Sequence, residues 1–293
     1  MSEMFKGTAT ALITPFQKDG TIDEQGLRDL VDFQESMGID AIVPCGSTGE
    51  SATLDHAEHL RAIEVVIDQA KRAKIIAGAG SNSTHEAIDL SVKSADMGAD
   101  YILSISPYYN KPTQEGIYQH FARVSDACDL PIIVYNVPGR TGSNMEAQTT
   151  LRLAELPGIS GIKEASGDMA QVMTIMAERP KDFSMLSGDD ALTFPMMALG
   201  GEGVISVSSN CAPKQMMDMV NSALAGDFVK AREMHFKLMP LFNATFLEPN
   251  PIPIKAAMRL MGRPSGELRM PLMHMTEGNL KLLEKTLQQL GII

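Results

Sequence analysis

The chain has 293 residues, 44% hydrophobic and 21% charged, enough to bury one core of about 200–250 residues with an appendage, or two smaller domains. Lysine and arginine number 25 against 36 aspartate and glutamate; the formal charge of −11 and the lack of a basic run exclude a nucleic-acid binder as the expected class. No apolar stretch reaches the ~18 residues of a membrane span and no leader pattern opens the chain, while Cys45, Cys128 and Cys211 are too few and too far apart for a disulfide framework or a CxxC metal site, so a cytosolic protein with reduced thiols is expected.

Short β-branched or apolar runs recur, each followed by a Gly, Pro, Ser or Asn cluster and then by a segment of helical period. The predicted strands are 8–13, 41–44, 74–77, 101–104, 131–135, 159–163, 183–186 and 203–207. Helical patterns at 24–37, 56–71, 84–97 and 114–128 lie between the earlier ones, and Asp55 with Glu58 and Ser83 with Glu86 have capping-box spacing. Eight strands alternating with helices predict an α/β chain folded as a (β/α)8 TIM barrel, because each parallel pair needs a crossover and the last strand can close on the first. The competing open doubly wound sheet lacks its GxGxxG mark; the nearest segment, 78–83, reads as a turn between strand and helix. After residue 225 the pattern is purely helical, at 227–246, 253–261 and 276–290, with a proline-rich connector at 248–253. Residues 1–225 are therefore expected to form the barrel and 226–293 a C-terminal helical domain. With 21 methionines and no tryptophan, flexible thioethers do much of the core filling.

In such a barrel the reacting groups lie where strands end. Lys163 ends the sixth strand, where desolvation disfavours its ammonium form and leaves a free amine able to form an imine with a carbonyl substrate. An inward lysine paired with Glu164 or another carboxylate is the alternative. Tyr135 ends the fifth strand, placed to shuttle a proton or simply to fill the core. The sequence 46–50, Gly-Ser-Thr-Gly-Glu, offers hydroxyls and backbone N–H groups to a carboxylate, or is a plain turn. Arg140, in Gly-Arg-Thr, is either a solvated surface charge or a fork for a substrate carboxylate, a more useful role in a chain of −11.

Together these segments resemble a known family. GSTGE at 46–50, SPYYNKP at 106–112, YNVPGRTG at 135–142 and GIKEAS at 161–166, with LSGDD at 186–190 and GVIS at 203–206, resemble the dihydrodipicolinate synthase family from residue 7 through 253. The resemblance implies condensation of pyruvate with L-aspartate 4-semialdehyde to 4-hydroxy-tetrahydrodipicolinate, in lysine and diaminopimelate biosynthesis, with no cofactor and no metal. It implies that Lys163 forms the pyruvate imine and that Tyr135, Ser47 and a neighbouring subunit's copy of Tyr109 relay protons, so that a homo-oligomer is expected; the resemblance favours a dimer of dimers, and a free dimer could present the same Tyr109 contact. Thr48, Gly188 and Ile205 would hold pyruvate and Arg140 the semialdehyde carboxylate. Ser47 stands where the family usually has threonine, keeping the hydroxyl without the methyl that restricts its rotamer.

In lysine-inhibited members the effector sits at the dimer interface on positions matching Ser51, Ala52, His56, His59, Asn82, Glu86 and Tyr108, so feedback inhibition by L-lysine is expected. Read as plain structure, the two histidines decorate a helix start and Glu86 caps one. The rival readings are N-acetylneuraminate lyase, 2-keto-3-deoxygluconate aldolase and a non-catalytic keto-acid-binding regulator; Arg140 and intact Lys163 and Tyr135 speak against them. A phosphate-binding isomerase would require a glycine-rich cup where 187–190 is acidic.

Overall fold

Every strand of this protein is buried on both faces, so its alternation emerges as two apolar layers rather than as an apolar and a wet side. The computed structural model describes residues 4–293. Its strands are β1 (Gly7–Ala11), β2 (Ala41–Val43), β3 (Lys74–Gly78), β4 (Tyr101–Ile105), β5 (Ile132–Asn136), β6 (Ile159–Glu164), β7 (Ser184–Ser187) and β8 (Gly203–Ser206). They pair in parallel in sequence order, and β8 returns to β1 to close the barrel. Ala9, Val43, Leu103, Ile133, Leu186 and Ile205 form the inner cluster, with Phe5 also in it. The intervening Ile42, Ile102, Val134, Ile162 and Val204 belong to the outer cluster, shared with the surrounding helices. Each fully buried aliphatic side chain stabilises by roughly 1.5–3 kcal/mol.

Closure depends on one glycine pair. Gly7 and Gly203 face each other across the β1–β8 seam, and a Cβ on Gly203 would lie 1.9 Å from the Gly7 carbonyl oxygen. The 8–13 run stops pairing as a strand at Ala11 because the Leu12 N–H turns to Val43 O and the Ile13 N–H to the Asn210 side chain.

The helix expected at 24–37 spans Glu24–Met37, with the Asp23 side chain capping its start and Gly38 in the left-handed conformation at its end. The Asp55–Glu58 capping box forms in full. The second expected box does not: Ser83 Oγ accepts from the Glu86 N–H, but the Glu86 carboxylate accepts instead from Ser81 Oγ (2.8 Å), which also receives the Ser83 N–H. Beyond the barrel, the helices Phe228–Ala244, Ile252–Leu260 and Glu277–Gln289 contribute Leu241, Phe242, Ile254, Leu283 and Leu287 to the outer cluster. The segment before Ile252 crosses the barrel mouth, which matters for the site below.

Candidate active site

Parity along β6 decides the state of Lys163. Neighbouring strand residues point to opposite faces, so Lys163 enters the barrel while Glu164 leaves it. Glu164 is tied outside by Asn136 Nδ2 (3.0 Å) and Gln171 Nε2 (3.3 Å), and the ion pair considered from sequence does not form. Lys163 is 6% exposed and stands in one register row with Tyr135 and Leu186. Burial is the main reason its pKa drops to about 7; the positive Arg140 works in the same direction and the Asp190 carboxylate against it. Near pH 7 about half of such amines are free, against roughly one in 3,000 for an ordinary lysine. Gly188 makes room for it: a Cβ there would lie 3.0 Å from both Cγ and Cε of Lys163.

Tyr135 lies beside the amine, with Lys163 Nζ 4.3 Å from its ring centroid. Burial raises the Tyr135 pKa to about 12, while Arg140 and a hydrogen bond with the Ser47 side chain hold it down. A phenol kept protonated beside a free amine, with a hydroxyl bonded to it, has the chemistry to pass protons rather than to act as a second nucleophile. Ile205 closes the inner wall. Thr48 is 3% exposed, and its hydroxyl accepts a hydrogen bond from Asn250 Nδ2 (2.9 Å), so its side chain is already engaged. Among the described residues nothing hydrogen-bonds to the backbone N–H groups of Ser47 or Thr48.

A cavity of about 500 Å3 runs from Lys163 and Tyr135 past Arg140 to Ser51, Ala52, His56, His59, Glu86 and Tyr108. Arg140 sits on a single helical turn, Pro138–Thr141, with Nη2 3.4 Å from the Asn250 carbonyl oxygen. At the far end His59 is 6% exposed, its Nε2 2.6 Å from Gly78 O, and burial is the first cause of its lowered pKa. Glu86 offers a carboxylate, and Tyr108 is 38% exposed. Asn82 does not line this cavity; its carbonyl receives Asn110 Nδ2 (2.9 Å).

Tyr109 is not brought to the amine within one chain. It is 88% exposed, in left-handed backbone (φ 72°), held by its N–H to Thr141 O (3.1 Å). Sequence reasoning also passed over two residues that the fold delivers. Asn250 was visible only as part of a proline-rich connector, yet it touches Thr48 and Arg140. Asp190 enters the sequence reading as part of the LSGDD motif and as a charge hostile to phosphate, with no role at the amine; it is 2% exposed, accepts from the Ser208 N–H (2.8 Å), and acts electrostatically on Lys163. A buried-position aspartate just after a strand end was its one signal. Among the described residues no three His, Cys, Asp or Glu side chains converge to hold a metal ion.

Comparison with known proteins agrees over the whole length. Residues 4–290 match the Dihydrodipicolinate synthetase family. The chain is similar to 4-hydroxy-tetrahydrodipicolinate synthases of Methanocaldococcus jannaschii (52% identity over 292 residues, 99% of this chain and 100% of the relative) and Syntrophotalea carbinolica (51% over 291 residues, 99% of each). Among solved structures it resembles a dihydrodipicolinate synthase at TM-score 0.95 and 52% identity, over 99% of this chain and 100% of the other. A lysine-bound structure from Cyanidioschyzon merolae matches at TM-score 0.96 and 42% identity, covering 100% of both chains.

Proposed function

The chain belongs to the dihydrodipicolinate synthetase family, and on that premise we infer that it is a lyase that condenses pyruvate with L-aspartate 4-semialdehyde to 4-hydroxy-tetrahydrodipicolinate, in lysine and diaminopimelate biosynthesis. The observation that carries the reading is the buried, half-neutral amine of Lys163 beside the Tyr135 phenol at the bottom of a cavity whose entrance holds Arg140.

The chemistry then follows in order. The Lys163 amine adds to C2 of pyruvate, and loss of water gives a cationic imine, with the buried Asp190 carboxylate as nearby countercharge. The cation acidifies the pyruvate methyl group, whose proton leaves along Tyr135 and Ser47. The resulting enamine carbon bonds to the aldehyde carbon, and the aldehyde oxygen takes up a proton. The semialdehyde's own amine then attacks C2, closes the ring and releases Lys163. Gly188 and Ile205 shape the pocket around the imine, and the unpaired N–H groups of Ser47 and Thr48 suit the pyruvate carboxylate. Arg140 takes the semialdehyde carboxylate as a fork.

The solvent-exposed Tyr109 fits a role in a second subunit, completing that subunit's relay, and a homo-oligomer built as a dimer of dimers is the assembly we assign. L-lysine is assigned to the lining residues Ser51, Ala52, His56, His59, Glu86 and Tyr108, with Asn82 contributing from outside the cavity next to the lining residue Ser81: Glu86 and the exposed polar rim suit an α-amino acid, and the Cyanidioschyzon merolae relative is described with lysine bound. Three buried free thiols suit the reducing cytosol.

Steady-state assays with pyruvate and each aldehyde partner test the reaction. Turnover is expected with L-aspartate 4-semialdehyde; preference for cleavage of N-acetylneuraminate or 2-keto-3-deoxygluconate would contradict it.

A further inference from the structure

The 46–53 turn serves both ends of the cavity, and a single side chain grips it from beneath. Lys255, on the helix Ile252–Leu260, is 0% exposed. Its Nζ donates to Glu50 Oε1 (2.6 Å), Thr14 O (2.9 Å) and Glu267 O (2.6 Å), which uses all three N–H groups of an ammonium. The second Glu50 oxygen accepts the Arg269 backbone N–H (3.1 Å). Above this pair Glu50 has φ 56°, a left-handed backbone that a non-glycine residue keeps only where its surroundings over-determine it. From that conformation the Glu50 N–H reaches Ser47 O (3.2 Å) and the Glu50 carbonyl accepts the Thr53 N–H (3.0 Å). Glu50 thereby joins the backbone of the Ser47–Thr53 segment to the contacts that Lys255 and Arg269 make with its carboxylate. Desolvation offsets most of the attraction within a buried ion pair, so its presence is weakly explained by stability. Its attachment to the turn that carries Ser47 points to another role.

We propose that Lys255 is a positioning residue for the reaction: through the Glu50 carboxylate it fixes the 46–53 turn so that the Ser47 hydroxyl stays in line with Tyr135. The inference rests on the imine chemistry assigned above.

The test compares Lys255→Met, Glu50→Gln and the double variant E50Q/K255M, which removes both charges and remains informative if the single variant does not fold. Borohydride reduction after equilibration with saturating pyruvate counts the Lys163 sites that form imine. Exchange of the pyruvate methyl protons with D2O measures relay turnover at those sites. The expected result is exchange per imine-forming site reduced roughly 100-fold in the double variant, the size of effect that a ~1 Å misplacement produces. Its thermal midpoint recovers relative to Lys255→Met while its exchange does not. Exchange per site within about twofold of the parent, or exchange that recovers together with the thermal midpoint, would overturn the proposal. A parent chain that neither traps pyruvate nor exchanges its protons would remove the underlying reaction, a separate outcome.

Discussion

The two ends of the cavity are built from different material. At the inner end Lys163, Tyr135 and Leu186 occupy one row of the barrel ladder, and residues Lys163 and Tyr135 are 6% and 7% exposed. At the outer end the groups come from the Ser51–Thr53 turn, the start of the helix at His56, Glu86 and the exposed Tyr108. The inner end holds Lys163 in a dry wall, which favours a free amine, with the exposed Arg140 at its entrance to attract anionic substrates; the outer end carries the Glu86 carboxylate on a wetter rim. The proposed covalent chemistry thus falls where backbone pairing fixes geometry, and the proposed recognition of a soluble amino acid where loops set it.

Substitutions sharpen the contrast. The largest effect is expected for Tyr135→Phe, which keeps the ring beside Lys163 and removes the proton carrier; kcat should fall by about 10³, read in a steady-state assay. An effect under about tenfold would show that the relay bypasses β5. Next comes Arg140→Ala, for which kcat/KM with the semialdehyde should fall about 100-fold while borohydride still traps pyruvate. Equal losses in both measurements would make Arg140 part of the imine site and erase the distinction between floor and entrance. A smaller change is expected at the outer end: Glu86→Gln should raise the lysine concentration for half-inhibition at least about tenfold with trapping altered less than twofold. Inhibition unchanged by this substitution, or absent from the parent at millimolar lysine, would remove the effector from that end.

The same contrast explains what could be read from residues alone. The strand ends were legible because a β-strand announces itself by apolar runs, and parity then turns Lys163 and Glu164 to opposite sides. The helix Glu24–Met37 was legible from its period, and the next helix also from its Asp55–Glu58 capping box. Loop contacts were not, since they are set by chain returning from far away. Asn250 meets Thr48 across 202 positions, and Lys255 meets Glu50 across 205. Glu86 has the spacing of a capping partner, but Ser81 competes for its carboxylate, a choice made by the shape of the 78–83 turn. Tyr109 advertises nothing by pattern; its exposure acquires meaning only beside a second copy.

The reactivity of the Lys163 amine is read out by borohydride reduction with pyruvate followed by peptide mapping. The account predicts a single pyruvate adduct on Lys163, absent from Lys163→Ala. Because only the free base is nucleophilic and its pKa is about 7, the trapping rate should level off above pH 7 and fall about tenfold per unit below it. An adduct on another lysine, no adduct, or a rate that climbs toward pH 10 as for an ordinary lysine would contradict it.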